Sequence, residues 1–355
     1  MSTPVITSAP AVRARHPLAR WWFWVRAIVF VVLAYLAVQV VVANSAELSG
    51  ASDYLERSSP AFIVLAAVAE GLSYLNFTLL QRRLLGAGGL RVALLPLAAI
   101  SLAGNAITNS LPGGGAFASV FAYRQFRRRG ADEALTTWTL VAFTALTAVT
   151  LAVISVIGLI VAGSDGPVGG LGPLIGLLVA GPVIGVAVLL RPRLLVIVLT
   201  PLLRFSSRAV HVPRRDPGGA IERLVARLET VQPRPRDWGF GLLFATGTWV
   251  TDCMCLILAF AAVHAGIPWR GLLVAYAAAQ VVANLPITPG GLGVVEGSLT
   301  VALVAFGGST AETVAGVLLY RIISFWIVVP VGWCAWLGLG ISARRTGAGM
   351  EEVPA

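Results

Sequence analysis

An all-α, polytopic membrane protein is the fold class this sequence predicts, on three observations. The 355 residues are 57% hydrophobic and only 12% charged, and the mean hydropathy is +0.85, which excludes an ordinary soluble domain. The apolar residues gather into about eight long segments separated by short polar stretches. All 26 basic residues are Arg, and they concentrate in those connecting stretches. The net charge of +10 therefore fits anionic lipid headgroups at the inner leaflet and membrane orientation, with no nucleic-acid partner.

A basic tail, 1–20, carries Arg13, Arg15 and Arg20 and leads into an apolar run from Trp21 to Ala43. That run is too long for a signal-peptide core and contains Arg26, so it reads as an uncleaved first span. Trp21, Trp22 and Trp24 give it an interfacial aromatic cluster. Further apolar segments follow at 60–80, 90–111, 134–162, 168–190, 238–263, 271–288 and 312–341. Two of them, 90–111 and 271–288, are followed at once by short return arms, 113–124 and 291–306. The first return arm is only about 18 Å long as a helix, too short for the ~30 Å hydrocarbon core.

At both returns the chain is broken by proline and glycine. The first break reads Asn105-Ala-Ile-Thr-Asn109-Ser-Leu-Pro112-Gly113-Gly114-Gly115, and the second Asn284-Leu-Pro-Ile-Thr-Pro289-Gly290-Gly291-Leu-Gly293-Val-Val-Glu296. Hydrocarbon cannot hydrogen-bond the backbone groups such breaks release, so the breaks must be buried in protein or line a wet cavity. Segments 90–124 and 271–306 are accordingly predicted as re-entrant hairpins beside six full spans. The plainer alternative is a tight turn between ordinary short membrane helices.

The arginines orient this layout. With both termini inside a cytoplasmic membrane, 22 of the 26 Arg fall on the inner side and only Arg57 and Arg270 on the outer. The outer loops instead carry Glu47, Asp53, Glu56, Asp165 and Glu312. This is the positive-inside bias. The first hairpin must then enter from inside and the second from outside, so the halves 21–190 and 238–342 form inverted repeats, a recurrent plan of secondary transporters. Between them lies a basic loop, 191–237, with Ile221, Leu224, Val225 and Leu228 at helical spacing, read as an amphipathic surface helix. A short tail, 343–355, closes the chain inside.

Four charged residues fall at predicted membrane depth, where charge is costly and invites a functional reading. Glu70 and Asp252 are mid-span, with no partner visible in the sequence, and read as polar cavity lining that could couple transport to protons. Glu296 and Arg321 both lie toward the outer side of the second half and can pair, either as part of a substrate site or as an ion pair fixing helix register. Asn105, Asn109 and Asn284 can satisfy freed backbone or meet a polar headgroup. Gly113, Gly114, Gly115, Gly290, Gly291 and Gly293, beside Pro112 and Pro289, permit close backbone approach. Amides at the start of the return helices favour an anion such as a lipid phosphate. Cys253, Cys255 and Cys334 lie in apolar segments, which argues against a disulfide framework. No P-loop, GxSxG, CxxC or HExxH occurs, so no enzyme activity, cofactor or metal is expected.

The stretch from Leu285 to Glu296, followed by Leu319-Tyr320-Arg321 and an apolar run to Pro330 and Gly332, resembles the C-terminal signature of the lysylphosphatidylglycerol synthase transmembrane-region family, the flippase-like part of multiple peptide resistance factors. Asn109 to Gly115, with Tyr123-Arg124 and Gly130, is similar to its N-terminal counterpart. The likeness runs from about residue 20 to 342. It differs at Leu135–Thr147, where the family usually carries a charge, often Arg. No segment matches the family's soluble lysyl-transferring domain, so the resemblance implies the membrane part alone: a flippase-like transporter of a lipid or lipid-linked headgroup. The alternatives are a proton-coupled small-solute transporter and a non-transporting scaffold that holds a lipid-modifying enzyme through the 191–237 loop.

Overall fold

Helices make up every regular element of the computed structural model, which describes residues 54–111, 113–163, 233–284 and 288–348. These residues belong to one unit, 46–355. In chain order the helices are α1 (Pro60–Ala87), α2 (Leu94–Ser110), α3 (Gly114–Arg128), α4 (Glu133–Ala162), α5 (Pro235–Ala262), α6 (Trp269–Ala283), α7 (Val294–Ala305), α8 (Thr310–Arg321) and α9 (Val328–Ala348). A single 3₁₀ turn, Pro289–Gly291, precedes α7, and a π-helical turn, Ile322–Trp326, joins α8 to α9. The segments 21–43 and 168–190, the amphipathic stretch of the 191–237 loop and Pro112 lie outside the described residues.

Local chemistry sets the helix starts. Pro60 and Pro235 occupy first-turn positions, where a missing N–H costs nothing. Asp132 caps α4 by accepting the Leu135 amide at 2.7 Å. Asp237 returns to accept the Arg234 amide at 2.9 Å at the start of α5.

Among the described residues, four helical stretches are long and apolar enough to cross a membrane: Pro60–Ala87, Glu133–Ala162, Pro235–Ala262 and Thr310–Ile341. Each leaves large apolar side chains exposed, among them Leu65 and Val68 on α1, Ile160 on α4, Leu243 on α5 and Ile327 between α8 and α9. Helices that are apolar on the outside as well as the inside are what lipid as solvent requires. The shorter helices fall below that length: 15 residues in α3 and α6 and 12 in α7 span about 22 Å and about 18 Å.

Two elements differ from the sequence reading. The arm after the first break runs to Arg128 rather than Arg124. Arg127 and Arg128 fall in its last turn, where cations face the negative end of the helix dipole. The last span is a helix interrupted just after Arg321. Pro330 cannot donate to the carbonyl one turn before it, and the Ile327 amide bonds Ile322 O at 3.0 Å, five residues back.

Packing follows the same scheme in both halves. Each has a long helix, two short helices around a break, and a second long stretch. α1 packs along α5, α2 packs on α9, and α6 packs on α4, so exchanging the halves maps these three contacts onto one another. One core cluster is built mainly from the second half but includes Ala66 and Ala69 of α1; the other is built mainly from the first half but includes Ala245 of α5. The two long-to-short crossings also share a device. A Cβ on Gly158 of α4 would meet the α6 backbone at Val274 N, and one on Gly332 of α9 would meet Leu102 O of α2, so glycine permits close helix approach at both.

Candidate functional site

The two breaks meet. α2 ends at Ser110, and α3 starts at Gly114 after Gly113 has taken a left-handed conformation with φ 65°. A Cβ on Gly114 would run into the carbonyl oxygens of Ile107 and Thr108. Glycine therefore lets the start of α3 press against the last turn of α2, while Gly115 faces open space. Gly114→Ala is expected to lower stability by about 1–3 kcal/mol through overpacking. Gly115→Ala should be neutral or slightly stabilising. Thermal unfolding of the purified variants in detergent checks the contrast.

At the second break, Gly290 and Gly291 adopt φ 59° and 69°. Gly290 sits under the Phe325 ring, and its Cβ position lies 3.0 Å from Asn109 O of the first break. Pro289 and Gly291 are buried. Asn105 and Asn109 hydrogen-bond each other, Asn109 donating to Asn105 Oδ1 at 2.7 Å. Asn284 donates to Gln280 O at 2.8 Å, satisfying a carbonyl at the end of α6.

Arg321 holds this junction together. Its Nε donates to Glu296 Oε1 at 2.6 Å, its Nη2 donates to Gly290 O at 3.0 Å, and its guanidinium lies 4.5 Å from the centre of the Phe325 ring. Glu296 in turn accepts the Gly293 amide at 2.7 Å through Oε2, closing the start of α7. The paired arginine is buried, and it joins α8, α7 and the second break beside the first. On the other side of the first break, Trp333 Nε1 donates to Ser110 Oγ at 3.1 Å.

Asp252 belongs to a separate buried cluster. Tyr276 OH donates to Oδ2 at 2.6 Å, Gln280 Nε2 donates to Oδ2 at 2.7 Å, and Tyr320 OH donates to Oδ1 at 3.1 Å. Glu70 of α1 lies beside it at side-chain hydrogen-bonding range, and its Oε2 is buried without a partner. Tyr320 immediately precedes Arg321, so the two clusters are adjacent along α8.

The structure therefore brings Asn109, Gly114, Pro289, Gly290, Gly291, Glu296 and Arg321 to one junction. Gly115 and Gly293 adjoin it with open space at their Cβ positions, and Asn284 serves the end of α6. Glu70 and Asp252 form the second cluster. Sequence reasoning missed Tyr276, Gln280 and Tyr320 as the ligands of Asp252, and Phe325 as the ring over Gly290. Gln280 was the available signal, a lone amide in an apolar helix four residues before Asn284. Phe325 carried none, being one aromatic in an apolar run.

The chain is also similar to known membrane proteins. The chain is similar to a UPF0104 membrane protein of Methanothermobacter thermautotrophicus, 34% identical over 87 residues, which is 24% of this chain. The aligned region spans 25% of that relative's length. The family model for the lysylphosphatidylglycerol synthase TM region matches residues 22–332, covering both breaks, the Glu296–Arg321 pair and the Glu70–Asp252 cluster. The protein is thus a membrane protein, and its chain belongs to the lysylphosphatidylglycerol synthase TM region family.

Proposed function

We propose that this protein is a flippase-like transporter that moves a lipid or lipid-linked headgroup across the cytoplasmic membrane by alternating access, with no catalytic step. The observation that carries the reading is the Arg321 guanidinium, paired to Glu296 and bonded to Gly290 O where the second break abuts the first. Irregular backbone joined to a buried cation at the contact of two matching half-structures is how transporters of inverted-repeat design build a binding site. In this reading the two short-helix pairs are re-entrant hairpins from opposite faces, and 21–43 and 168–190 supply the remaining two spans. The exchange-related packing of α2 on α9 and α6 on α4 supports it.

Anionic lipid is the favoured cargo class. A cleft of about 380 Å³ between α3 and α9 is lined by Phe121, Arg124, Arg128, Trp336 and Leu337. Arg127 and Arg129 are engaged with Ala131 O and Gln125 Oε1, while Arg124 and Arg128 are exposed beside the apolar wall. Trp336 on the cleft wall contacts Trp333, which bonds Ser110 at the first break, so side-chain contacts link the cleft wall to the junction.

The test is reconstitution into liposomes holding fluorescent phosphatidylglycerol, with dithionite quenching reporting the outer leaflet. Wild-type protein is expected to raise the quenchable fraction above that of protein-free liposomes, and Arg321→Gln to abolish the rise. Wild-type vesicles indistinguishable from empty ones, for phosphatidylglycerol and for total anionic lipid extract, would sink the reading.

A further inference from the structure

Glu70 and Asp252 face each other where α1 of the first half packs along α5 of the second. Both are more than nine-tenths buried, at 6% and 8% exposure. Asp252 takes hydrogen bonds from three neutral donors: Tyr276 and Gln280 on α6, and Tyr320 on α8. Glu70 lies within side-chain hydrogen-bonding range of Asp252, yet its Oε2 has no partner. Two carboxyls at that range form a hydrogen bond only when one of them carries a proton.

No cation bonds to the pair among the described residues. Among the described residues, the titratable groups facing it are Tyr74 from α1, Cys253 and Cys255 from α5, Tyr276 from α6, and Tyr320 and Arg321 from α8. Tyrosine and thiol are neutral donors near pH 7. Arg321 is engaged by Glu296 and the Gly290 carbonyl. Among the described residues, a single proton is therefore the charge that lets these carboxyls stay together.

We propose that Glu70 and Asp252 bind one proton between them and that this proton is the coupling ion of transport. The step balances simply. In the loaded state Glu70 is a neutral acid donating to the Asp252 carboxylate. Release sends one H⁺ to solvent and leaves two facing carboxylates. The like charges then lie on α1 and α5, one from each half, so release opposes the contact that holds the halves together. Asp252 also anchors Tyr320, whose neighbour Arg321 holds the junction of the breaks. Proton occupancy is thereby tied to the site proposed for the lipid headgroup. The coupling rests on the transport reading; the proton site does not.

Infrared spectroscopy of the full-length protein in nanodiscs, titrated through neutral pH, tests the site. Wild type should show a protonated-carboxyl stretch at pH values where isolated Asp and Glu are ionised. Glu70→Gln should remove that band, and Asp252→Asn should shift or remove it. A wild type without the band, a band retained in Glu70→Gln, or one unmoved in Asp252→Asn overturns the site. Proteoliposomes with fluorescent phosphatidylglycerol test the coupling. A proton gradient should speed wild-type movement severalfold over equal pH and leave Glu70→Gln at its equal-pH rate. Acceleration retained in Glu70→Gln, or produced by a sodium gradient instead, overturns the coupling. Wild-type protein that shows the band yet moves no lipid overturns the transport reading and leaves the proton site intact.

Discussion

Arg321→Gln is expected to cost about 3–5 kcal/mol of stability, because it leaves Glu296 with a partly buried, unpaired charge. It also removes the donor to Gly290 O and the cation over the Phe325 ring. Glu296→Gln should be damaging too, since the Gly293 amide loses its ionised acceptor along with the arginine losing its partner. The informative variant is the pair Arg321→Met with Glu296→Leu. Exchanging a buried ion pair for apolar side chains of similar volume is often neutral or stabilising. If the pair exists only to fix helix register, the double variant should regain both stability and lipid movement. We expect partial recovery of the unfolding temperature, short of wild type because Gly290 O and the Gly293 amide still lack their partners, without recovery of transport, measured on the same preparations.

The second large effect lies at Gly290. A side chain there meets three obstacles: a left-handed backbone at φ 59°, the Phe325 ring and, less severely, Asn109 O. The first costs about 1–2 kcal/mol for a non-glycine residue, and overpacking against a buried aromatic adds about 1–3 kcal/mol. Gly293 has φ 79° but open space around its Cβ position, so Gly293→Ala should incur only the backbone cost. Gly290→Ala is therefore expected to be clearly the worse of the two in thermal unfolding. In a Phe325→Ala background, Gly290→Ala should cost less than it does in the wild type, because the ring's share of the overpacking is gone while the backbone share remains. If Gly290→Ala costs as much in both backgrounds, the ring does not cover Gly290 in the folded protein.

Much of the fold was legible because the bilayer makes simple demands. Long apolar runs mark helices, and Pro-Gly-Gly inside them marks interruption, since the freed backbone must find partners. The pairing of Glu296 with Arg321 was readable for a related reason: two opposite charges at membrane depth in one half have few other places to go. The partners of Asp252 were not readable. Tyr276, Gln280 and Tyr320 come from two other helices, and their convergence depends on crossing angles that no local pattern encodes. The same holds for Phe325 over Gly290 and Trp333 on Ser110. The interruption after Arg321 lies between these cases, because Pro330 marks a weak point without fixing which turn widens. Arg127 and Arg128 extended α3 past its apolar stretch, a reminder that helix ends follow capping and dipole as well as hydropathy.

Transport through this fold requires that the breaks at Asn109–Gly114 and Pro289–Gly291 touch each other inside the membrane. Thiol cross-linking probes that contact. Cys253, Cys255 and Cys334 are first replaced by alanine. Asn109→Cys and Pro289→Cys are then combined, with a protease site placed in the 191–232 loop so that linked halves migrate together after cleavage. Ser110→Cys with Trp333→Cys, residues hydrogen-bonded in the structure, serves as the positive control. A short bis-methanethiosulfonate is expected to link the 109–289 pair in intact membranes, while membrane-impermeant reagents label neither position readily. Failure of that pair to link while the control pair links, or ready labelling of both positions from opposite sides, would contradict it.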